Sequence, residues 1–185
     1  MLTLKTNDVS VKTYEEEYNY FLSAILGKVE YCSYHNSIQK VEKFLIYWLN
    51  GEVLDDILIH LQTMYKTFQH LFPYKGTIYR GVEIESFVVE TNGLRNKYLT
   101  SFTNQEEVAR YFAGVSTIYG NSQRESMSHY LIEMNTSDCF SFDEFLMRIL
   151  ELTHNVDLEI VIEERNWENE KIAFFDQENC KLTKV

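Results

Sequence analysis

Three short segments of the chain combine residue types that can do chemistry. They are Tyr79-Arg80-Gly81, Ser101-Phe102-Thr103 and Asp157-Leu158-Glu159, which supply a cation, a pair of hydroxyls and a pair of carboxylates. An arginine can donate two parallel hydrogen bonds to a pyrophosphate, and a carboxylate can stabilise positive charge on a sugar. The set therefore suits binding a dinucleotide by its phosphates while chemistry takes place at its sugar.

The first two segments also have purely structural explanations. Gly81 would let the backbone approach a ligand closely, but Arg80 at a strand end also suits a surface ion pair. Ser101 and Thr103 point to one side of a predicted strand, because side chains alternate, so a hydroxyl there can orient a carboxylate on a neighbouring strand. The alternative is a polar strand end that caps the next helix through Thr103 or Asn104.

The third segment is predicted to lie on a strand, where Asp157 and Glu159 share one face. Like charges this close favour protonation of one carboxylate, so one could act as acid or base while the other stays ionised. The alternative is an exposed strand face. The glutamates that follow are predicted to form a solvated acidic turn: Glu163, Glu164, Glu168 and Glu170.

The elements before the first segment read as helices. One helix is predicted from Tyr14 to Leu26, ending near Gly27. Two further apolar stripes recur at helical spacing on either side of Asn50-Gly51, and Pro73 ends the helical half. The stripes are Ile38, Val41, Leu45 and Trp48, then Leu54, Ile57, Leu58, Leu61, Met64, Tyr65, Phe68 and Leu71.

The chain after Pro73 is predicted to be rich in strands. Residues 1–73 and 74–185 would then form the helical and β-rich parts of one α+β domain. One helix is predicted to begin at Asn104 and another to run from Phe142 to Leu152, and residues 114–126 are predicted to form a flexible loop. The predicted strands cover residues 77–79, 97–100, 129–134, 158–162, 171–175 and 181–185.

Composition narrows the class of protein. The chain has 185 residues, of which 45% are hydrophobic, so a globular domain is expected. Its formal charge of −11 argues against a protein that coats nucleic acid through a basic face. No apolar run suits a membrane span or secretory signal, which predicts a cytoplasmic protein without membrane contact. Cys32, Cys139 and Cys180 lack metal-like spacing and are expected to be reduced thiols.

Read together, the three segments resemble the arginine-serine-glutamate (cholera-toxin-like) class of mono-ADP-ribosyltransferases, most closely the Alt and Mod enzymes of T-even bacteriophages. The resemblance covers about Thr77 to Phe175. It rests on Ile78-Tyr79-Arg80-Gly81-Val82, on Ser101-Phe102-Thr103 followed by Val108-Ala109-Arg110-Tyr111-Phe112-Ala113, and on Asp157-Leu158-Glu159-Ile160-Val161-Ile162.

The resemblance implies two packed, mostly antiparallel sheets around an NAD cleft. Arg80 would hold the NAD phosphates, Ser101 would position Glu159, and Glu159 would stabilise the oxocarbenium-like state as nicotinamide leaves. Backbone at Gly81 would dock the nicotinamide amide. The loop from Gly114 to Ser126 would cover NAD through Tyr119 or Arg124, and Glu151 to Val156 would read the acceptor. The implied NAD-binding set is Tyr79, Arg80, Gly81, Ser101, Phe102, Thr103 and Glu159, with no metal.

Two residues depart from the family pattern. Thr103 replaces the second serine and keeps a hydroxyl. Asp157 replaces the first glutamate, which in the family helps to activate an acceptor arginine. Because aspartate is one methylene shorter, this departure puts the acceptor in question rather than NAD cleavage.

Three functions stay open at this level. The leading hypothesis is an NAD-dependent transferase that places ADP-ribose on a protein arginine. The second is modification of nucleic acid such as messenger RNA by a toxin or phage-defence effector, and the third is a non-catalytic binding module on the same fold. The N-terminal helices would be available to dock an antitoxin or chaperone in the bacterial or infected-host cytoplasm.

Overall fold

The structure, a computed structural model, describes residues 8–52, 56–85, 99–119, 127–175 and 179–185. Its α-helices are α1 (Asp8–Ile25), α2 (Asn36–Leu49), α3 (Ile57–Phe68), α4 (Glu106–Tyr119), α5 (Phe142–Leu150) and α6 (Val156–Arg165). Its strands are β1 (Pro73–Glu85), β2 (Leu99–Thr103), β3 (Met127–Ser141), β4 (Glu170–Phe174) and β5 (Cys180–Lys184), and a 3-10 turn at Asn166–Glu168 precedes β4. These elements confirm the predicted α+β class.

The chain divides into two compact units, each built from separate stretches of sequence. The helical unit comprises Met1–Leu71 and Glu144–Asn166, and the β unit comprises Phe72–Asp143 and Trp167–Val185. The helical unit therefore includes a stretch that lies within the β-rich part of the sequence. A single domain over residues 1–185 stays a prediction. None of the described helices is long and apolar enough to cross a membrane.

The helical unit packs around buried aromatic rings. Phe68 of α3 lies 4.8 Å from Phe145 of α5 between ring centroids, and Phe21 of α1 lies 6.2 Å from each of them. All three side chains are fully buried, and burial of each contributes roughly 1.5–3 kcal/mol. Most residues of the two predicted apolar stripes are buried in this unit: Ile38, Val41, Leu45, Leu61, Met64, Tyr65 and Phe68. Trp48, Ile57 and Leu71 are half-buried, and Leu54 and the Leu58 side chain lie outside the described residues.

The predicted ends of the first two helices are confirmed. Gly27 and Gly51 have φ angles of 68° and 70°, which glycine adopts without steric cost. Asn50 is the C-cap of α2, and its N–H donates to Ile46 O. The predicted helix start at Asn104 is wrong, because α4 begins at Glu106.

The β unit is a sheet that closes on itself. Its antiparallel pairings run from β1 to β2, β2 to β4, β4 to β3 and β3 back to β1, while β5 adds to β3. The two packed sheets of the prediction thus correspond, among the described strands, to one hydrogen-bonded sheet. Strands β1 to β4 supply its buried interior, and β5 contributes only to the margin. The buried residues are Ile78, Phe102, Ile132, Met134, Cys139, Ala173 and Phe175, and the partly buried ones are Tyr74, Val82, Cys180 and Leu182.

Two predictions in the second half of the sequence are corrected. The segment 158–162, predicted to be a strand, belongs to helix α6. The predicted loop from Gly114 begins instead as the last turns of α4, which continues to Tyr119. Arg124 and the rest of that loop, residues 120–126, lie outside the described residues.

A histidine is buried among rings in the helical unit. His60 Nδ1 lies 3.1 Å from the Tyr18 hydroxyl, and the imidazole stacks on Phe44 at 4.6 Å between centroids. Asp56 Oδ2 lies 3.7 Å from His60 Nε2. Burial lowers the pKa of His60, and the nearby Asp56 and Glu17 only partly offset this effect.

This histidine predicts a stability that depends on pH. The unfolded chain binds a proton on His60 near the ordinary pKa of about 6.5, whereas the folded chain resists protonation to lower pH. The free energy of unfolding should therefore decrease as the pH falls below about 6.5. Chemical denaturation between neutral and mildly acidic pH measures this slope. His60→Gln should flatten it, whereas substitution of the exposed His70 by Gln should not.

Candidate functional site

Arg80 and Ser101, two of the predicted site residues, are in direct contact. Arg80 Nη1 donates a hydrogen bond to the Ser101 carbonyl oxygen at 2.6 Å. Arg80 lies on β1 between Ile78 and Val82, which share its face of the strand, and both residues of the pair are half-buried. The structure therefore holds the guanidinium against the β2 backbone beside the predicted serine.

A row of three residues crosses the strands next to this contact. Thr103 on β2 has Tyr79 of β1 as its Cα partner on one side and Glu170 of β4 on the other. Directly paired residues project from the same face of a sheet, with Cβ atoms about 4.5–5.5 Å apart. Tyr79, Thr103 and Glu170 thus lie side by side.

Ser101 belongs to the same face of β2 as Thr103, because the two are separated by Phe102, whose side chain is in the core. Ser101 pairs with Ile172, so Glu170 is its diagonal neighbour on β4. Diagonal neighbours lie about 7–8 Å apart between Cα atoms, within reach of a long side chain. The neighbouring-strand carboxylate that Ser101 can orient is therefore Glu170.

Glu170 is the second residue of a Glu-x-Glu segment that begins strand β4. Glu168 ends the 3-10 turn, and Asn169 between the two glutamates has a φ of 48°, a conformation that asparagine adopts more readily than most residues. Asn169 Nδ2 also donates to the Trp167 carbonyl at 3.1 Å. The segment predicted to be a solvated acidic turn is thus a defined turn that delivers Glu170 to the sheet.

Aromatic rings attach this turn to helix α4. Trp167 stacks on Phe112 with 5.9 Å between centroids and an interplanar angle of 14°, and it meets Tyr111 edge-on at 5.8 Å. All three rings remain between two-fifths and about half exposed. The turn that carries the two glutamates is therefore packed against helix α4 on the outer side of the sheet.

Asp157 and Glu159 have a different environment from the one predicted. Both lie in the first turn of helix α6, where the Asn155 side chain accepts a hydrogen bond from the Leu158 N–H at 3.1 Å. Residues two apart on a helix are about 200° apart, so these carboxylates do not share a face as they would on a strand. Acidic side chains in a first turn stabilise a helix through its dipole, which gives them a structural role.

The residues behind Glu170 are held by a buried ion pair. Lys171, whose side chain is 2% exposed, pairs with Asp143, and its Nζ lies 5.1 Å from the centroid of the Tyr74 ring. Ser141 Oγ donates to the other carboxylate oxygen of Asp143 at 2.8 Å. Because Lys171 and Glu170 point to opposite faces of β4, the pair anchors the strand from behind the candidate site.

Thr103 and Tyr79, both in the predicted NAD-binding set, pair across β2 and β1. Thr103 Oγ1 accepts a hydrogen bond from the Gln105 N–H at 3.1 Å, which supports the alternative that it shapes the approach to the next helix. Partial burial raises the pKa of Tyr79, and the carboxylates of Glu133, Glu106 and Glu107 add to this effect. Tyr79 therefore stays a neutral hydroxyl beside the candidate site.

Gly81 faces a helix. A Cβ built on Gly81 would lie 2.0 Å from the Ala109 carbonyl oxygen and 2.4 Å from the Ala113 nitrogen, both in the backbone of α4. The backbone of α4 thus approaches Gly81 closely, and contact between the Gly81 backbone and a ligand stays a prediction. Gly81 allows this helix to pack directly on β1.

Sequence reasoning missed the Glu168–Glu170 pair, although a signal for it is present. Asp157-Leu158-Glu159 and Glu168-Asn169-Glu170 both have acidic residues at positions i and i+2 before an apolar run, and of these two segments only the second leads into a strand. Asn155 before the other segment is an N-cap residue, with acids in the following turn, which is a helix-start signal. That signal distinguishes the two.

No protein-family model matches the chain, and no curated protein matches it in sequence. Two solved structures are similar to it. Vis toxin, an ADP-ribosyltransferase from Vibrio splendidus, is 17% identical with a TM-score of 0.40, over 93% of this chain and 76% of that one. The ADP-ribosyltransferase Vis in complex with agmatine is 14% identical with a TM-score of 0.35, over 98% of this chain and 87% of that one. Similarity at this level assigns no family, and the closer similarity to Alt and Mod stays a prediction.

The packing of α4 on β1 generates a prediction about stability. Gly81→Ala should lower the free energy of unfolding by roughly 1–3 kcal/mol without any ligand present, because backbone atoms of α4 must move to admit the methyl group. Gly114→Ala is the matched control, since its Cβ would meet nothing within 4 Å. That change within a helix should stabilise the protein by about 0.5–1 kcal/mol. Thermal and chemical unfolding of both variants measure the difference, and an unchanged Gly81→Ala protein would contradict the packing.

Proposed function

We propose that the protein is a mono-ADP-ribosyltransferase that cleaves NAD and transfers ADP-ribose to a macromolecular acceptor. The observation that carries this proposal is the placement of Arg80, Ser101 and Glu170 on three successively paired strands. Ser101 and Glu170 share the face that carries Tyr79, whereas Arg80 lies on the opposite face of β1 and reaches the β2 backbone through the Ser101 carbonyl. The order of cation, hydroxyl and carboxylate is the order of the family motifs. The third motif is supplied by Glu168-Asn169-Glu170 instead of Asp157-Leu158-Glu159.

Arg80 and Ser101 would bind and orient NAD in this proposal. The Arg80 guanidinium donates a hydrogen bond to the Ser101 carbonyl, so the β2 backbone helps to set its position. Its charge and planar donor geometry suit the pyrophosphate of NAD. The Ser101 hydroxyl lies on the same face as Glu170 and would hold that carboxylate toward the nicotinamide ribose.

Glu170 would stabilise the charge that develops during cleavage. The bond between the ribose anomeric carbon and the nicotinamide nitrogen breaks, and its electron pair leaves with nicotinamide. Glu170 would accept a hydrogen bond from a ribose hydroxyl and stabilise the positive charge left on the sugar. The acceptor nucleophile then forms the new bond to the same carbon and loses a proton.

Glu168 would act on the acceptor. As the first residue of a complete Glu-x-Glu segment it matches the family glutamate, so the aspartate departure at Asp157 no longer bears on the acceptor. A carboxylate at this position suits the guanidinium of a protein arginine, which it can orient and from which it can accept a proton. A net charge of −11 also favours a cationic acceptor over a nucleic acid.

The assignment of the catalytic carboxylate can be tested with a matched pair of variants. Glu170→Gln removes the charge that stabilises the sugar and should slow nicotinamide release from NAD by roughly 10²–10³-fold. Glu159→Gln, on helix α6, should leave the rate close to that of the unaltered protein. The measurement is nicotinamide release under saturating NAD, with thermal unfolding to show that both variants fold. Loss of activity in Glu159→Gln, with Glu170→Gln active, would restore the assignment made from sequence.

The acceptor can be tested separately. Glu168→Gln should retain cleavage of NAD by water but lose most transfer to the acceptor, because only the transfer step uses that carboxylate. Labelled NAD is incubated with a cell lysate, and the labelled product is then treated with protease or ribonuclease. Protease-sensitive label that Glu168→Gln does not produce is expected. Label that resists protease and is removed by ribonuclease would show a nucleic-acid acceptor.

A further inference from the structure

A cavity lies wholly within the helical unit. It has a volume of about 510 Å³ and is lined by one face of α2, by Tyr34 from the preceding loop and by His154 from the segment before α6. Pockets of roughly 300–1,000 Å³ are typical of small-molecule sites. The residues proposed above to cleave NAD belong to the β unit and do not line this cavity.

A buried carboxylate forms part of the cavity wall. Glu42 is 1% exposed, and its Oε1 accepts hydrogen bonds from the Tyr31 hydroxyl at 2.5 Å and the Thr153 hydroxyl at 3.1 Å. Its Oε2 accepts one hydrogen bond, from Asn155 Nδ2 at 3.1 Å. All three donors are neutral, and no cation of the described residues lies within ion-pair distance of Glu42. A buried carboxylate held only by neutral donors favours a positive partner.

The cavity also presents a cation. Lys43 follows Glu42 on α2, and its Nζ lies 5.4 Å from the centroid of the Tyr47 ring. Gln39, Lys43 and Tyr47 are four residues apart and therefore share one face of the helix, which lines the cavity. The wall thus carries one negative and one positive side chain with aromatic surface beside them.

We propose that this cavity binds a small zwitterion with a primary ammonium at one end and a carboxylate at the other. The ammonium bonds Glu42, the carboxylate bonds Lys43, and the short chain between them lies against Tyr34 and Tyr47. A ligand with only a positive charge would be repelled by Lys43, and a ligand with only a negative charge would be repelled by Glu42. Both charges together match both side chains.

The geometry of Glu42 favours an ammonium over a guanidinium. A carboxylate offers about four lone-pair directions, and three are used by Tyr31, Thr153 and Asn155. The one that remains is on Oε2. A guanidinium binds best through two parallel hydrogen bonds to both oxygens, whereas an ammonium is a point charge that needs a single contact.

Titration with a series of ω-amino carboxylates tests the proposal. The probes run from β-alanine to ε-aminocaproate and are followed by calorimetry and by chemical-shift changes in the purified protein. One chain length should bind best, since the two charged side chains are fixed on one helix. The singly charged compounds n-butylammonium and butyrate should bind about tenfold or more weakly.

Two variants and one control connect binding to the named residues. Glu42→Gln and Lys43→Met should each weaken binding of the best probe by about tenfold or more. Lys43 is exposed, so Lys43→Met should fold normally even if Glu42→Gln is less stable. Lys66→Met, on the exposed surface of α3, removes the same charge elsewhere and should bind as the unaltered protein does. Absence of binding across the series, or binding unaffected by Lys43→Met, overturns the proposal.

Discussion

The arrangement of the β unit depends on the buried ion pair between Lys171 and Asp143. Placing two charges in a protein interior is unfavourable unless each is well compensated, and here Ser141 and the ring of Tyr74 complete the surroundings. Removal of either partner would leave the other charge uncompensated, an effect of about 3–5 kcal/mol in buried pairs. The pair therefore permits only one alignment of β4 against the end of β3.

That alignment is what gives Glu170 its position. A shift of one residue along β4 would exchange its two faces, moving Lys171 outward and Glu170 into the core. Both movements are strongly unfavourable, so the buried Lys171 fixes the position of Glu170 on the opposite face of β4. The contact between Arg80 and the Ser101 carbonyl fixes the cation on the other side of β2 in a similar way. The buried ion pair, the strand register that it selects and the Arg80 contact thus together determine the geometry of the candidate site.

Secondary structure could be predicted from the sequence where the hydrophobic periodicity and the flanking residues indicate the same element. The prediction was wrong where a segment fits both a strand and a helix. The stripes of α2 and α3 and the strand from Lys171 to Phe175 were predictable because period and flanking residues agree. The run from Leu158 to Ile162 is short and rich in branched residues, so periodicity alone cannot separate strand from helix there; the Asn155 cap decides it. Gly81 was recognised as a point of close approach, but only the fold shows that the approaching group is α4. The sequence placed the candidate carboxylates Asp157 and Glu159 on a strand, and the structure places them in the first turn of α6; which carboxylate is catalytic stays a prediction.

The closed order of strands has a consequence for how the protein is made. Strand β2 lies between β1 and β4, yet β4 is synthesised only after α4, β3, α5 and α6 have emerged. Until then one edge of β2 has no partner, and the apolar interior that β1 to β4 supply stays open to water and to other chains. Contacts between distant parts of a chain also form slowly. A ribosome-bound chain that stops before β4 would therefore carry Arg80 and Ser101 without Glu170, so that the proposed chemistry is delayed until the barrel-like unit has closed.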